Sequence, residues 1–183
     1  MRKLFLVSAL FLFLGLSAIA QDTPKAEVFG GYSYLRASVV GAGFNFNGAS
    51  GSFAFNPSHW WGIVGDVGGY HNSDFGTSTN LITYLFGPRF SARGHSRLTP
   101  FVQALFGGAH VNASFIGISN SENTFAAALG GGIDARVTHS FSFRVIQAEF
   151  LFTKFTDGAD NRQNNARIST GIVYRWGGSE NNQ

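Results

Sequence analysis

Apolar and polar residues alternate with a period of two along most of this chain. Between residues 80 and 91, Tyr84 and Phe86 fall on one face of an extended segment. Thr83 and Arg89 fall on the opposite face. Alternation of this kind predicts β-strands with one bulky apolar face and one face of small or polar residues.

The alternation breaks into short segments that are separated by residues typical of turns. We expect eight strands, near residues 26–36, 45–56, 60–71, 80–91, 99–111, 124–137, 141–155 and 166–176. An even number of strands returns both ends of the chain to the same rim. The pattern therefore predicts an all-β fold, an up-and-down antiparallel barrel of eight strands.

The pattern alone leaves open whether the apolar face points inward, as in a lipocalin-like soluble barrel, or outward against lipid. Composition favours the second arrangement, because charged residues make up only 13% of the chain and Phe occurs 20 times. Soluble domains carry about 25% charged residues. Aromatic residues also gather at the strand junctions of one rim and predict an interfacial girdle. The girdle residues are Phe53, Phe55, Trp60, Trp61, Phe90, Phe101, Phe141 and Trp176.

Connection lengths give a second indication of a membrane barrel. The links at residues 56–59 and 138–140 are short, whereas the links on the other rim are longer and rich in Asn, Ser and Gly. We expect the longer links near residues 37–44, 72–79, 112–123 and 156–165. Short turns on the periplasmic side and longer external loops are the rule for outer-membrane barrels.

The N-terminus indicates export. Arg2 and Lys3 precede an apolar run at residues 4–16, and Ser17-Ala18-Ile19-Ala20 has the small-x-small pattern of a cleavage site. We expect a Sec signal peptide at residues 1–20, the barrel at 21–176 and a short tail at 177–183. An uncleaved membrane anchor is the alternative, although the apolar run is short for a span.

The last predicted strand carries a further signal. Residues 169–176 follow the order polar-x-Gly-x-x-aromatic-x-aromatic, in which Gly171, Tyr174 and Trp176 are the defining positions. This order resembles the terminal-strand signal that the barrel-assembly machinery recognises. Together with the motif at residues 148–152, Ala-Glu-Phe-Leu-Phe, it resembles the membrane domain of OmpA and its small relatives. The resemblance implies an outer-membrane β-barrel of a Gram-negative bacterium.

Charged residues of both signs have inward parity in this arrangement. The predicted interior set is Glu27, Asp66, Arg89, Asp134, Arg136, Arg144, Glu149 and Arg167. Placing both Arg144 and Glu149 inside requires a change of parity between them, which we assign to a bulge near Val145 and Ile146. The lumen of an eight-stranded barrel is only wide enough for side chains, so these charges must pair. They form either an ion-pair plug or a gated polar conduit.

Catalytic and metal-binding patterns are weak in this sequence. His71 lies near Ser73 and Asp74, and His110 lies near Ser114, but neither spacing specifies a catalytic triad. The chain contains no Cys and has no pair of His at metal-binding spacing. Asp157, Asp160 and Asn161 offer at most a weak Ca²⁺ loop. We therefore expect no cofactor, no metal and no catalytic residues.

The sequence favours a non-enzymatic integral barrel with a structural or surface-interaction role in the cell envelope. A small pore or transporter is the alternative, and a lipid A-modifying enzyme is a remote one. The expected partners are outer-membrane lipid or lipopolysaccharide and, during biogenesis, the barrel-assembly machinery. No basic patch interleaved with aromatic residues is present, so we expect no nucleic acid partner, and we expect a monomer.

Overall fold

The computed structural model describes residues 23–39, 42–74, 77–94, 96–115, 118–154 and 163–177. The predicted signal peptide and all of the predicted tail after Gly177 lie outside these ranges. Within them, every regular element is a β-strand. None of the described residues belongs to a helix that is long and apolar enough to cross a membrane.

Eight antiparallel strands close into one barrel, and each strand pairs with its neighbours in chain order. The strands are β1 (Ala26–Val39), β2 (Ala42–Phe55), β3 (Trp61–Asp74), β4 (Thr77–Ser91), β5 (Leu98–Phe115), β6 (Ile118–Arg136), β7 (Phe141–Lys154) and β8 (Gln163–Trp176). β1 closes the barrel by pairing with β8, where Ala26 lies opposite Trp176. The predicted all-β, up-and-down, eight-stranded barrel is confirmed.

The strand register sets the tilt and the width of the barrel. The shear can be read by starting at Phe90 on β4 and moving from each residue to its partner on the next strand. One full turn around the barrel ends on β4 at Asn80, ten residues from the start. This displacement is the shear of the barrel, and for eight strands it corresponds to a tilt of about 40°. A barrel of this size leaves room for side chains only.

The two rims differ, and the predicted contrast in connection length is wrong for three of the four long links. At the rim that holds Ala26 and Trp176, here called the terminal rim, the connections comprise residues 56–60, 92–97 and 137–140. At the opposite rim, β1 continues to Val39 and β2 begins at Ala42. The links after β3 and β5 are equally short, and only β7 and β8 are separated by more, residues 155–162.

These polar segments are strands because pairing satisfies backbone N–H and C=O groups wherever two strands run side by side. Ser114 pairs with Ser119, and Asp74 pairs with Thr77. Strands of 14–19 residues exceed the 9–11 residues that a tilted strand needs to span a bilayer. The polar ends therefore extend the barrel wall beyond its apolar part.

The outer surface of the barrel is apolar over most of its height. Phe86, Phe106 and Phe150 are each more than half exposed, as are Val102 and Leu129. Inward positions on the same strands carry small, polar or charged side chains, together with an aliphatic cluster. In water, such an exterior would leave a large contiguous apolar surface unburied.

Candidate functional site

The interior of the barrel holds most of the charged residues that the sequence predicts there. Seven of the eight are buried, with relative exposures of 0–4%: Glu27, Asp66, Arg89, Asp134, Arg144, Glu149 and Arg167. Arg136 differs from the prediction, because its side chain is exposed. Arg136 is the last residue of β6, and its backbone N–H donates to the carbonyl of Arg97 at the rim. Although the residue has inward parity, it lies at the end of the strand, so its side chain extends past the barrel mouth into water.

Near the terminal rim, Asp134 on β6 and Arg144 on β7 form a two-point ion pair. The Arg144 Nε and Nη2 atoms donate to the two Asp134 carboxylate oxygens at 2.8 and 3.1 Å. Arg175 on β8 donates to the same carboxylate at 3.3 Å. Two-point pairing between a guanidinium and a carboxylate fixes orientation as well as charge.

Glu27 is the second carboxylate near this rim, and three arginines surround it. Arg93, in the connection between β4 and β5, donates to Glu27 at 3.1 Å. Arg89 and Arg175 lie 3.7 and 3.6 Å from its oxygens. The carboxylate thus draws β1, β4 and β8 together at the mouth of the barrel.

Deeper in the barrel, Arg167 on β8 bridges the lumen. Its Nη1 atom donates to Asp66 on β3 at 2.7 Å, and its Nε atom donates to Glu149 on β7 at 2.7 Å. Tyr70 accepts a longer bond of 3.3 Å from the same guanidinium. Because β3 and β8 are not neighbours in the sheet, the bond to Asp66 crosses the lumen.

Two glutamines connect the deeper ion pairs to those near the rim. Gln103 accepts from Arg89 at 2.8 Å and donates to Glu149 at 2.7 Å. Gln147 accepts from Arg144 at 2.6 Å and donates to Glu149 at 2.8 Å. Sequence reasoning missed both glutamines, since a neutral inward amide has no signal that separates it from other polar lumen residues.

A bulge in β7 makes this network possible. Ile146 pairs with Ile133 and Arg144 pairs with Asp134, so Val145 has no separate partner on β6. Val145 and Ile146 are both exposed on the outer surface. The extra residue reverses the parity of the strand, so Arg144 and Glu149 both point inward, at the position that the sequence predicts for the bulge.

Phe101 corrects the predicted aromatic girdle. Its side chain is buried inside the barrel, 4% exposed, and contacts the guanidinium groups of Arg89 and Arg144. Each guanidinium carbon lies 4.5 Å from the centre of the ring. Phe101 lies opposite Gly132 on β6, where a Cβ atom would stand 2.8 Å from the ring. The glycine therefore leaves the space that lets Phe101 turn inward.

The other seven predicted girdle residues lie on the outer side at the terminal rim, and Trp61 is the least exposed of them. Trp60 stacks on Phe90 with ring centres 5.7 Å apart and also contacts Trp61. On the other side of the rim, Trp176 contacts Phe53 at 6.1 Å. The remaining members, Phe55 and Phe141, are each about half exposed.

The C-terminal strand places its three signal residues at the seam of the barrel. Tyr174 contacts both Trp176 and Phe141, with ring centres 5.6 and 5.1 Å apart. Gly171 lies opposite Gly31 on β1, and a Cβ atom at Gly171 would stand 2.5 Å from the Cα atom of Gly31. This close approach requires glycine at position 171.

Toward the opposite rim, the inward positions become apolar. The inward residues of β1 change from Glu27 and Ser33 to Leu35, and those of β7 change from Glu149 to Leu151. They pack in one buried cluster with Phe46, Tyr70, Leu81, Leu105, Ala109 and Ala126. Such a cluster offers few polar partners to a water molecule in this part of the lumen.

At the terminal rim, two neighbouring connections hold each other through hydrogen bonds. Arg93 Nη1 donates to the carbonyl oxygen of His59 at 2.8 Å, and the His59 ring contacts the carbonyl oxygen of Arg93 at 2.7 Å. The other His59 nitrogen contacts Thr23 Oγ1 at 2.8 Å. Arg93 lies in a connection, and strand parity therefore gave no sign that it enters the ion-pair network.

The remaining histidines form no recognisable catalytic arrangement within the described residues. His71 bonds Asn80 and His110 bonds Asn123, both at 2.8 Å through Nδ1. No group of three His, Cys, Asp or Glu residues that could hold a metal occurs in the described part of the chain. The weak Ca²⁺ loop at residues 157–161 lies outside it.

Comparison with known proteins identifies the fold but no family. No family model and no curated protein matches the sequence. Neisserial surface protein A (NspA) superposes with a TM-score of 0.73 at 12% identity, covering 83% of this chain and 97% of that one. Ail, the attachment invasion locus protein of Yersinia pestis, gives 0.61 at 18% identity, with coverages of 84% and 99%.

The N-terminal β-barrel domain of Pseudomonas aeruginosa OprF gives a TM-score of 0.58 at 13% identity, covering 84% of this chain and 98% of that one. Identities this low carry information on the fold alone. All three proteins are small outer-membrane barrels, so this chain shares their architecture.

Proposed function

We propose that this protein is an integral outer-membrane β-barrel, closed by its own side chains, with a structural or surface-interaction role in the cell envelope. The observation that carries the proposal is the reversal of the usual burial pattern. Phe86 and Phe150 are exposed on the outside, whereas Arg89, Arg144 and Arg167 are buried in the lumen. A lipid environment accounts for both, since it covers the apolar exterior while the enclosed charges pair with one another.

The apolar belt has the height that a bilayer requires. On β3 it runs from Trp61 at the terminal rim to His71, where outward residues become polar. Ten residues along a strand tilted by about 40° rise about 25 Å. We place the terminal rim on the periplasmic side, because both barrel termini lie there and the polar strand extensions lie at the other end.

Heat-modifiability tests the membrane location. The chain without residues 1–20, folded in detergent, should migrate faster on an SDS gel unboiled than boiled and should give a far-UV β spectrum. The outward belt makes detergent or lipid necessary for folding. A protein that folds and stays soluble without detergent would refute the proposal and would point to a soluble ligand-binding barrel.

Conductance separates a closed scaffold from a pore. We expect no stable single-channel steps in planar lipid bilayers, because the ion pairs and the apolar layer fill the lumen. Steps that disappear after Arg89→Gln or Asp66→Asn would instead establish a pore through the network. Exposed Arg136→Gln is the matched control, since that side chain lies outside the network.

We infer that the role is non-enzymatic. Support comes from the histidines, since His71 and His110 bond asparagine side chains rather than a serine and a carboxylate. A lipid A hydrolase would need a nucleophile and a general base within hydrogen-bond reach of each other. Overexpression should therefore leave the mass of lipid A unchanged, and a consistent mass loss would contradict this inference.

A further inference from the structure

A surface cavity of about 480 Å³ lies on the outer face of β3, β4 and β5, close to the rim opposite the termini. Its lining includes His71 from β3, Asn80 from β4, and His110 and Asn112 from β5. The register explains why they meet, because His71 pairs with Asn80 and Asn80 pairs with Asn112. His110 is two residues from Asn112 on the same face of β5.

The cavity lies where the apolar belt ends. Below Asn80, the outward residues of β4 are Ile82, Tyr84 and Phe86, and all three are about half exposed or more. Ile82 itself forms part of the lining. At the height where apolar residues give way to polar ones, a membrane protein contacts the headgroups of the surrounding lipids. A molecule in this cavity would therefore contact polar groups at one end and the apolar wall at the other.

The polar lining consists of imidazole and amide side chains, and neighbouring asparagines hold both rings in place. His71 Nδ1 bonds Asn80 Oδ1, and His110 Nδ1 bonds Asn123 Oδ1, each at 2.8 Å. Because an amide oxygen only accepts, each Nδ1 atom is the donor of its pair. The bonds orient both rings and leave, among the described residues, the two Nε2 atoms and the Asn80 amide N–H groups uncommitted.

We propose that this cavity binds the phosphorylated headgroup of an outer-membrane lipid, an inference that rests on the proposed membrane location. None of the lining residues is acidic, so nothing in the lining repels an anion. An amide N–H donates to phosphate oxygens. A ring whose Nδ1 already donates offers an Nε2–H to phosphate only when it binds as the imidazolium, and that bond is charge-assisted. The cavity is larger than one phosphate needs, and its apolar side at Ile82 suits the start of an acyl chain.

Native mass spectrometry of the detergent-folded barrel, in a detergent that contains no phosphate, tests the proposal. The probes are bisphosphorylated lipid A and the same lipid A with its phosphates removed. The test variant is His71→Ala combined with His110→Ala. The matched control is His139→Ala, which removes an exposed imidazole at the terminal rim. The heat shift on SDS gels checks that every variant is folded.

The wild type should bind the phosphorylated lipid about tenfold more tightly than the dephosphorylated one, as expected for one or two charge-assisted hydrogen bonds. The double variant should lose this preference, and His139→Ala should keep it. Equal affinity of the wild type for both lipids, or a preference retained by the double variant, would overturn the proposal. Displacement of lipid A by millimolar inorganic phosphate would overturn it too, since the site would then bind free phosphate rather than lipid.

The same measurements separate this proposal from the one on which it rests. If the wild type shows no heat shift and needs no detergent, the membrane location fails and the lipid site fails with it. If the barrel is heat-modifiable but shows no preference for the phosphorylated lipid, only the lipid site fails.

Discussion

At the scale of single residues, the interior depends on small side chains as much as on charged ones. Phe101 occupies the space that Gly132 leaves, and in this position its ring contacts both Arg89 and Arg144. Each cation gains from the ring's electrons. Phe29 contacts the Arg144 guanidinium as well, at 4.3 Å from the ring centre. The space left by a single glycine thus supports the packing around two arginines.

Substitution of Gly132 by Ala should therefore destabilise the barrel. The added methyl group collides with the Phe101 ring and with the neighbouring backbone, and overpacking of this kind costs about 1–3 kcal/mol. Urea titration of the detergent-folded protein would measure the free energy of unfolding. The control is Gly65→Ala, where the outward methyl group meets nothing within 4 Å. Equal stability of the two variants would show that Gly132 is not needed to make room for the ring.

At the scale of elements, β7 is the strand that differs most from regular alternation. Its bulge at Val145 puts Ser142 and Arg144 on the same face as Gln147 and Glu149. If β7 kept Val145 but had no bulge, the half of the strand next to the terminal rim would turn over, because parity reverses with every one-residue shift. Phe141 and Phe143 would then point into the lumen, and Arg144 would face lipid.

Deletion of Val145 should accordingly permit folding. The deletion removes the extra residue together with the bulge, so Ile146 still faces outward opposite Ile133 and Arg144 still faces inward opposite Asp134. The fraction of protein with a heat-shifted band measures folding. Val145→Ala keeps the bulge and should fold as the wild type does. A deletion variant that fails to fold would contradict this account of the strand's parity.

At the scale of the whole molecule, the ion pairs join strands that the sheet does not. Arg167 connects β8 to β3 through Asp66 and to β7 through Glu149. Burying such charges costs solvation free energy, which offsets much of their mutual attraction. Their main contribution is to fix one arrangement of the side chains in the lumen. Removing Arg167 alone leaves two buried carboxylates without their partner, and an unpaired buried charge lowers the stability of the fold. Removing all three charges leaves no such unpaired charge.

Arg167→Met alone should lower the free energy of unfolding by about 3–5 kcal/mol, since Asp66 and Glu149 lose their shared partner. The triple variant Arg167→Met, Asp66→Leu, Glu149→Gln should recover most of this loss. The glutamine at position 149 keeps one acceptor oxygen for the amides of Gln103 and Gln147, both of which donate to the wild-type carboxylate. Urea titration compares the three proteins. A triple variant less stable than the single one would contradict this account.

Several features follow from the sequence alone. The period-two alternation determines the strands, and their even number brings both barrel termini to one rim. The same alternation, with the bulge near Val145, identifies seven of the inward charges, because the parity of a strand is a local property. The outward girdle at Trp60, Phe90 and Trp176 follows in the same way.

Other features depend on which residues meet across strands, and only the tertiary structure decides them. Phe101 lies near a strand junction, on a face of β5 that mixes polar Gln103 with bulky Leu105, and only the space left by Gly132 on β6 decides that its ring lies in the lumen. Arg93 reaches Glu27 from a connection, and Arg136 passes beyond the rim although its parity is inward. The polar segments at the far rim resemble loops in sequence because polarity reports exposure to water rather than backbone conformation. Shear and register determine which residues face one another, and those quantities belong to the closed barrel as a whole.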